Sequence, residues 1–183
     1  MNYKFSNLDN IIDKYVPFDK IEKEHKKEFI AWLKSPMATL DYRYMNPGHA
    51  TASAFVKNIS TNNILLIYHP NLLKWLQPGG HAEENEQDLI DIAIREVFEE
   101  TNLCLDKKVG FLFDLDVHRI KKSKFFPSHL HFDIRFYFET EDESITPSNE
   151  INTCKWFSIT EANTLNLNNG LQRMINKSIK NSI

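Results

Sequence analysis

The sequence predicts an α/β protein in which helices cover a mixed β-sheet. Segments with the two-residue period of strands alternate irregularly with segments that have the period of amphipathic helices. Irregular alternation of this kind indicates a mixed sheet covered by helices. The N-terminal part, by contrast, carries helical patterns alone. We therefore expect a helical N-terminal extension over residues 1–45 and a main domain over residues 46–183 that ends in a helix.

The extension contains two helical patterns. A short one ends at Pro17, and a longer one begins after Asp19, a residue type that caps helix N-termini. We expect the longer helix to end at the Ser35-Pro36 pair. A partial apolar stripe predicts its buried side and consists of Ile21, Phe29, Trp32 and Leu33.

The elements of the main domain follow from their residue patterns. Strands are predicted over residues 49–58, 64–70, 109–118, 129–139 and 154–157, where apolar and polar residues alternate or a short apolar run lies between turns. The segment 87–101 has the clearest helical period, and Asp88 is placed to cap it. Its apolar face is formed by Leu89, Ile92, Ala93 and Val97. A short helix is expected from Thr160, and a last amphipathic helix over residues 171–179.

Composition excludes several classes of function. Only 5 of the 183 residues are glycine, and no spacing among them makes a dinucleotide-binding or P-loop fingerprint. The formal net charge of −3 gives no general attraction to nucleic acid or to an anionic membrane. The 2 cysteines cannot build a zinc finger or a disulfide framework.

The sequence also lacks the usual signs of export or membrane insertion. No apolar run reaches the roughly 20 residues that a membrane span needs, and the N-terminus lacks a signal-peptide pattern. We expect a cytoplasmic protein without nucleic-acid or membrane partners. The oligomeric state stays open, with a homodimer as one option.

Acidic residues are concentrated on the predicted helix 87–101. Glu96, Glu99 and Glu100 fall within an arc of about 100° on one side of it. Like charges three or four residues apart destabilise a helix by a few tenths of a kcal/mol per pair, and negative charge near a helix C-terminus is also unfavourable. A solvated helix face does not need this arrangement, whereas a divalent cation does, because hard cations prefer clustered carboxylate oxygens. The spacing therefore predicts a divalent-metal site.

Two neighbours of the glutamates suit the same site. Arg95 directly precedes Glu96, and its planar guanidinium can hold a carboxylate in a fixed orientation. The Gly79-Gly80 pair lies before the helix, where its loop can fold back and offer a backbone carbonyl to a metal.

These residues follow a known pattern. The stretch from Gly80 to Leu103 resembles the Nudix box, G-x5-E-x7-R-E-U-x-E-E-x-G-U, in which U is aliphatic. Its core, Arg95-Glu96-Val97-x-Glu99-Glu100, matches in full. The preceding KWLQPGG is similar to the segment that comes before the box in that family.

The sequence departs from the box at two places. One residue more than in the family pattern separates Gly80 from Arg95. Counting forward from Gly80 makes Glu86 the first box glutamate, whereas counting back from Arg95 reaches Gln87. The extra residue is most easily absorbed in the loop of residues 81–86. Asn102 stands where the family has glycine, and asparagine is the next most tolerant residue in a left-handed helix end.

The resemblance implies an α/β/α sandwich and a magnesium-dependent pyrophosphohydrolase, with manganese as an alternative ion. The implied substrate is a small molecule, a nucleoside diphosphate linked to another moiety or a nucleoside triphosphate. The implied metal ligands are Glu96, Glu99, Glu100 and the carbonyl of Gly80. Arg95 would orient the carboxylates, and a box glutamate or Glu150 would act as the base or as a further ligand. A Nudix-fold module that binds or senses a nucleotide without turnover is the alternative.

Histidines and charged residues alternate along the two long predicted strands. Asp114, Asp116 and His118 share one face of the first strand, and His129, His131, Asp133 and Arg135 share one face of the second. If the strands pair, these groups line one surface, close to His81 after the glycine pair. Three interpretations stay open: a hydrogen-bonded polar sheet face, a second metal site built on the H-x-H spacing, and a substrate-binding wall formed by His81, His118, His131 and Asp133.

Overall fold

A computed structural model describes residues 8–149, 151 and 153–180 of the chain. Within these ranges the helices are α1 (Leu8–Lys14), α2 (Lys20–Leu33), α3 (Leu89–Thr101), α4 (Ile159–Ala162) and α5 (Asn169–Lys180). The strands are β1 (Gly48–Asn58), β2 (Asn63–His69), β3 (Lys74–Leu76), β4 (Gly79–Gly80), β5 (Phe111–Ile120), β6 (His129–Thr140) and β7 (Cys154–Ser158). None of the helices in these ranges is a candidate for crossing a bilayer.

The described strands form one mixed sheet with β1 at its centre. β1 pairs in parallel with β6, from Gly48 opposite Leu130 to Asn58 opposite Thr140. The remaining pairs are antiparallel: β2 and β4 lie on the other side of β1, β3 and β7 pair with β2, and β5 pairs with β6. The predicted mixed sheet is therefore confirmed.

Helices cover both faces of this sheet. On one face, α1, α2 and α3 share a hydrophobic cluster with β1, in which Ile12, Phe29 and Ile92 are fully buried. On the opposite face, α5 packs Leu171 and Met174 into a second cluster. This α/β/α sandwich confirms the predicted fold class. The division of the chain at residue 45 stays a prediction, although α1 and α2 contribute to the same core cluster as α3.

Helix α2 differs from its prediction in the face that it buries. Phe29 and Trp32 of the predicted stripe are buried, and Trp32 stacks on Phe132 with ring centroids 4.2 Å apart. Ile21, however, is 55% exposed, while the neighbouring Glu22 is fully buried. Glu22 faces the edge strand β5 and is held there by polar contacts, so the apolar stripe does not extend to the first turn of the helix.

A layer of buried charged residues lies on the α5 side of the sheet; we call it the ionic layer. Its members are Glu22, Asp114, Asp116, Asp133, Arg135, Arg173 and Lys177. The predicted pairing of the two long strands places Asp114 opposite Arg135 and Asp116 opposite Asp133. Arg173 from α5 donates to both oxygens of Asp114 at 2.7 Å. Burial alone would raise the pKa of Asp116, but Arg135 and two adjacent histidines hold it well below its usual range.

The glycine pair forms structure where a loop is expected. Residues 79 and 80 make the short strand β4, in which Gly79 lies opposite Ser53 of β1. The φ angle of Gly79 is +153°, and a Cβ there would lie 2.2 Å from the Cβ of Ser53. Only glycine therefore allows this close approach, which brings Gly80 next to α3.

Helix α3 begins and ends as the sequence predicts. Asp88 is the N-cap, and its side chain accepts a hydrogen bond from the N–H of Ile90. Asn102 ends the helix in the left-handed conformation, with φ of 58°, and its N–H donates to the carbonyl of Phe98 at 2.7 Å. Asparagine thus takes the conformation that the family pattern assigns to glycine.

Substitution at this helix end should affect stability through the backbone alone. Asn102 is exposed, so Asn102→Val removes no packing but places a β-branched residue in the left-handed region. We expect the free energy of unfolding to fall by about 1–2 kcal/mol, measured by urea denaturation. Asn102→Gly should keep at least wild-type stability. An equal loss in both variants would show that the asparagine amide, rather than the backbone conformation, stabilises the helix end.

Candidate functional site

An open cleft of about 1140 Å³ lies beside helix α3. Four segments contribute to its walls: residues 40–43, residues 80–84, the side chains of Arg95, Glu96, Glu99 and Glu100 on α3, and residues 148–149. The predicted box residues and part of the predicted extension therefore face one cavity.

Arg95 connects the carboxylates of this cleft. Its Nε and Nη2 donate to the two oxygens of Glu86 at 2.9 and 3.0 Å. Its Nη1 donates to Glu96 at 3.1 Å and to Glu99 at 2.6 Å. Nη2 also donates to the backbone carbonyl of His81 at 2.8 Å. One guanidinium thus orients three carboxylates and anchors the loop that follows β4.

The contact between Arg95 and Glu86 bears on the register of the box. Glu86 is the residue reached by counting forward from Gly80, whereas Gln87 is exposed. The bidentate pair with Arg95 favours the forward count. The additional residue then lies after Glu86, just before α3, and not in the preceding loop where we expected it.

Glu96 is the buried member of the box. Its side chain is 15% exposed, against 48% for Glu99. A Cβ on Gly80 would lie 2.4 Å from Oε1 of Glu96, so the backbone of the glycine leaves room for this carboxylate. Burial raises the pKa of Glu96 to about 7, with a further contribution from the charges of Glu99 and Glu86, although Arg95 opposes the shift.

Glu100 is tied to the loops on both sides of the helix end. Its Oε2 accepts a hydrogen bond from the N–H of Gly79 at 3.1 Å. Its backbone carbonyl accepts one from the N–H of Ser148 at 3.1 Å. Glu150, the predicted base or further ligand, lies outside the described residues.

The donor set of the cleft fits a hard divalent cation. Oxygen atoms of Glu96, Glu99 and Glu100 lie on one side of α3, and the backbone of Gly80 approaches the first of them without a side chain between. A cation at these oxygens would favour the ionised form of Glu96, whose pKa is raised mainly by burial. Mg²⁺ and Mn²⁺ prefer such oxygen donors.

A methyl group at Gly80 tests this arrangement. Gly80→Ala should leave the fold intact, because the flexible end of Glu96 can move aside. The displaced carboxylate should then lower kcat/KM by about 10–100-fold, the usual cost of disturbing the surroundings of a metal ligand. Steady-state rates measured with Mg²⁺ check this expectation. Gly170→Ala on α5 is not a suitable control, because a Cβ there would clash with the side chain of Arg135. Asp91→Asn on the exposed side of α3 serves instead, and a rate loss of equal size there would contradict the expectation.

The four residues predicted to bind substrate occupy different surroundings. His81 lines the cleft. His118 is half-exposed, and its Nδ1 lies 2.9 Å from Oδ2 of Asp116. Asp133 is 4% exposed. Its carboxylate accepts hydrogen bonds from Thr51 at 3.0 Å and from Nε of Arg135 at 2.7 Å, so it is engaged inside the sheet.

His131 belongs to a group of histidine rings on the same side of the sheet. It lies opposite His118 on β5 and opposite His49 on β1. Its Nε2 is 3.4 Å from Nε2 of His81 and 3.2 Å from Nε2 of His129. Sequence reasoning missed His49, because the parallel pairing of β1 with β6 cannot be inferred from either strand alone.

Sequence reasoning also missed the cleft wall formed by residues 40–43. Arg43 makes a bidentate ion pair with Asp41 at 2.7 and 2.6 Å. Tyr42 is 46% exposed, and its ring centroid lies 5.9 Å from that of His81. These residues follow the predicted helices without a periodic pattern, so the sequence contains no signal that brings them to α3.

Comparison with known proteins matches the chain to one family. The model of the NUDIX domain matches residues 47–177. A curated mouse (Mus musculus) protein, "Nucleoside diphosphate-linked moiety X motif 6", is 37% identical over 87 residues. That match covers 44% of this chain and 26% of the mouse protein, so the chain spans about a quarter of its relative's length.

Solved structures share the fold at low sequence identity. The NUDIX domain of Shewanella oneidensis NrtR, complexed with ADP ribose, has a TM-score of 0.60 at 15% identity, over 73% of this chain and 88% of that one. The C. elegans Ap4A hydrolase in a binary complex has a TM-score of 0.54 at 16% identity, over 73% and 96% of the two chains. At such identities the likeness is one of fold. Because the NUDIX domain extends over well more than half of the sequence and its box residues meet in one cleft, the chain belongs to the NUDIX family.

Proposed function

We propose that this protein is a metal-dependent hydrolase of a phosphoric anhydride in a nucleotide, of the form nucleoside diphosphate linked to another moiety or nucleoside triphosphate. The observation that carries the proposal is the meeting of three box glutamates with Gly80 and Arg95 in one open cleft. Clustered carboxylates held by an arginine suit a divalent ion and, through it, the charged oxygens of a diphosphate.

The roles of the chain's own groups follow from their surroundings. Glu96, Glu99, Glu100 and the carbonyl of Gly80 would hold Mg²⁺, or Mn²⁺ in its place. When bound, such an ion neutralises phosphate oxygens and lowers the pKa of water. Arg95 keeps the carboxylates in position through its paired hydrogen bonds. A water oxygen then bonds to one phosphorus, the bridging P–O bond breaks, and a box glutamate or Glu150 accepts the proton.

Residues 42 and 43, which also line the cleft, suit the rest of a nucleotide. Tyr42 presents an aromatic ring of the kind on which nucleobases stack. Arg43 adds a guanidinium, a group that binds phosphate oxygens. These groups line the same cavity as the carboxylates of α3, so one bound substrate can contact both.

A substrate panel tests the proposal directly. The protein is incubated with Mg²⁺ or Mn²⁺ and with ADP-ribose, NADH, dinucleoside polyphosphates, nucleotide sugars and nucleoside triphosphates, and the products are separated by anion exchange. We expect turnover of at least one compound, with oxygen from ¹⁸O-labelled water in one phosphate product. Absence of turnover across the panel by folded protein would refute hydrolysis. Tight nucleotide binding without metal-dependent turnover would instead identify a binding module.

A further inference from the structure

A cluster of histidines lies beside the carboxylate cleft but is not used by the proposed hydrolysis. It consists of His49 on β1, His129 and His131 on β6, and His81 in the loop after β4. The ring centroid of His49 lies 4.9–5.1 Å from the ring centroids of the other three histidines. The ligating nitrogens of His49, His129 and His131 all lie within 4.8 Å of one another. We call these four residues the histidine cluster.

Backbone carbonyls fix the tautomers of two members. Nδ1 of His49 lies 2.9 Å from the carbonyl of Tyr44, and Nδ1 of His129 lies 2.9 Å from the carbonyl of Pro127. Since a carbonyl only accepts, each Nδ1 carries the proton and donates it. In the neutral form of each ring, Nε2 therefore carries no proton, and its lone pair is available to a metal ion. A histidine that ligates a metal usually donates its other ring N–H to a carbonyl or carboxylate, which holds the imidazole in orientation.

The inward-facing nitrogens lack the donors that a purely structural cluster would need. His49 is fully buried, and its Nε2 has no hydrogen-bond partner among the described residues. A proton on Nε2 of His131 can serve His129 or His81, but one proton cannot serve both. A cation shared by the lone pairs resolves this conflict.

Two separations between the nitrogens, both measured from Nε2 of His131, agree with ligation of one ion. Zn²⁺ binds imidazole nitrogen at about 2.0–2.1 Å, which in a tetrahedron puts neighbouring nitrogens about 3.3–3.4 Å apart. Nε2 of His131 lies 3.2 Å from that of His129 and 3.4 Å from that of His81. His129 is 5% exposed and His49 fully buried, so neither is placed to contact a substrate in the cleft.

We propose that His49, His129 and His131, with His81 in the fourth position, bind a Zn²⁺ ion or a similar divalent ion that prefers imidazole. This site is chemically distinct from the glutamates of α3, whose oxygen donors suit a harder ion. It would also fix the loop after β4, because His81 directly follows Gly80 and its carbonyl accepts a hydrogen bond from Arg95. The site does not require that the protein hydrolyse nucleotides.

Metal content tests the proposal independently of activity. Untagged full-length protein is stripped with a chelator, dialysed against ZnCl₂ in excess MgCl₂, and analysed by mass spectrometry for zinc. We expect one zinc per chain in the wild type and a visible absorption spectrum of four-coordinate Co²⁺ when cobalt replaces zinc. His131→Gln should weaken zinc binding by at least about 10–100-fold, the cost of losing even an outer-shell partner of a metal.

Two variants serve as controls. His69→Gln removes a histidine of β2 that lies outside the cluster, and Glu99→Gln removes a box carboxylate; both should keep the zinc. Circular dichroism verifies that each variant is folded, and His129→Gln replaces His131→Gln if the latter is not. The proposal is overturned if folded wild type retains no zinc, if both cluster variants bind zinc as the wild type does, or if Glu99→Gln alone loses it.

Discussion

Glu99→Gln should lower kcat by at least about 100-fold while leaving the protein folded. Even the loss of an outer-shell partner of a metal typically costs about 10–100-fold in activity or affinity, and Glu99 is proposed as a direct ligand. The substitution keeps the shape of the side chain and removes its charge. Because this side chain is 48% exposed, glutamine there should not disturb the core.

The contact with Arg95 sharpens the interpretation of this variant. Nη1 of Arg95 donates to Glu99 at 2.6 Å and to Glu96 at 3.1 Å. A glutamine oxygen can still accept from Arg95, so the guanidinium should stay in place. The activity lost would then report on the missing negative charge at the metal and not on a displaced arginine. Partial recovery at higher Mg²⁺ concentration would support this assignment.

Asp91→Asn is the matched control for Glu99→Gln. Asp91 lies on the same helix, and its substitution also removes one exposed carboxylate. The ion-pair partner of Asp91, however, is Lys107, which lies outside the cleft. Rates are measured over a range of Mg²⁺ concentrations on whichever substrate the panel identifies. Wild-type turnover by Glu99→Gln would show that the metal assignment is wrong.

The parts of the fold that the sequence predicts are those encoded locally. Helix α3 is predicted with its N-cap and its left-handed end, because its period, Asp88 and Asn102 all lie within one segment. The polar faces of β5 and β6 are predicted for the same reason, since alternation assigns the side chains of β6, and those of β5 from Asp114 onwards, to a face. Glu96, Glu99 and Glu100 lie close together because they fall within about one turn of α3.

The parts that the sequence does not predict depend on contacts between distant segments. His49 enters the histidine cluster only because β1 pairs in parallel with β6, some 80 residues later. Residues 40–43 reach the cleft only because the segment before β1 packs against the core beside α3. Glu22 is buried where an apolar neighbour was expected, because its partner Lys177 comes from the other end of the chain. A local pattern contains no information about such partners.

Lys177→Met should lower the free energy of unfolding by about 3–5 kcal/mol, the typical cost of removing one partner from a buried ion pair. The side chains of Lys177 and Glu22 are 5% and 0% exposed. Nζ of Lys177 donates to Glu22 at 2.7 Å, to the hydroxyl of Tyr15 at 2.7 Å and to the carbonyl of Phe113 at 2.6 Å. Nζ also lies 3.2 Å from Oδ2 of the buried Asp114. Methionine keeps the length of the side chain, so the loss comes mainly from the two carboxylates that lose a cation. Urea denaturation followed by tryptophan fluorescence measures it.

Two further variants separate a buried charge effect from a simple loss of packing. Lys180→Met changes an exposed lysine one turn later in α5, whose ammonium lies 5.0 Å from the ring of Phe18, and should cost less than about 1 kcal/mol. The double variant Glu22→Gln/Lys177→Met removes both charges, so it should be more stable than Lys177→Met alone. If the loss of unfolding free energy in the double variant equals the sum of the losses in Glu22→Gln and Lys177→Met, the two charges are not coupled. The contact between α2 and α5 would then owe its stability to packing and not to this ion pair.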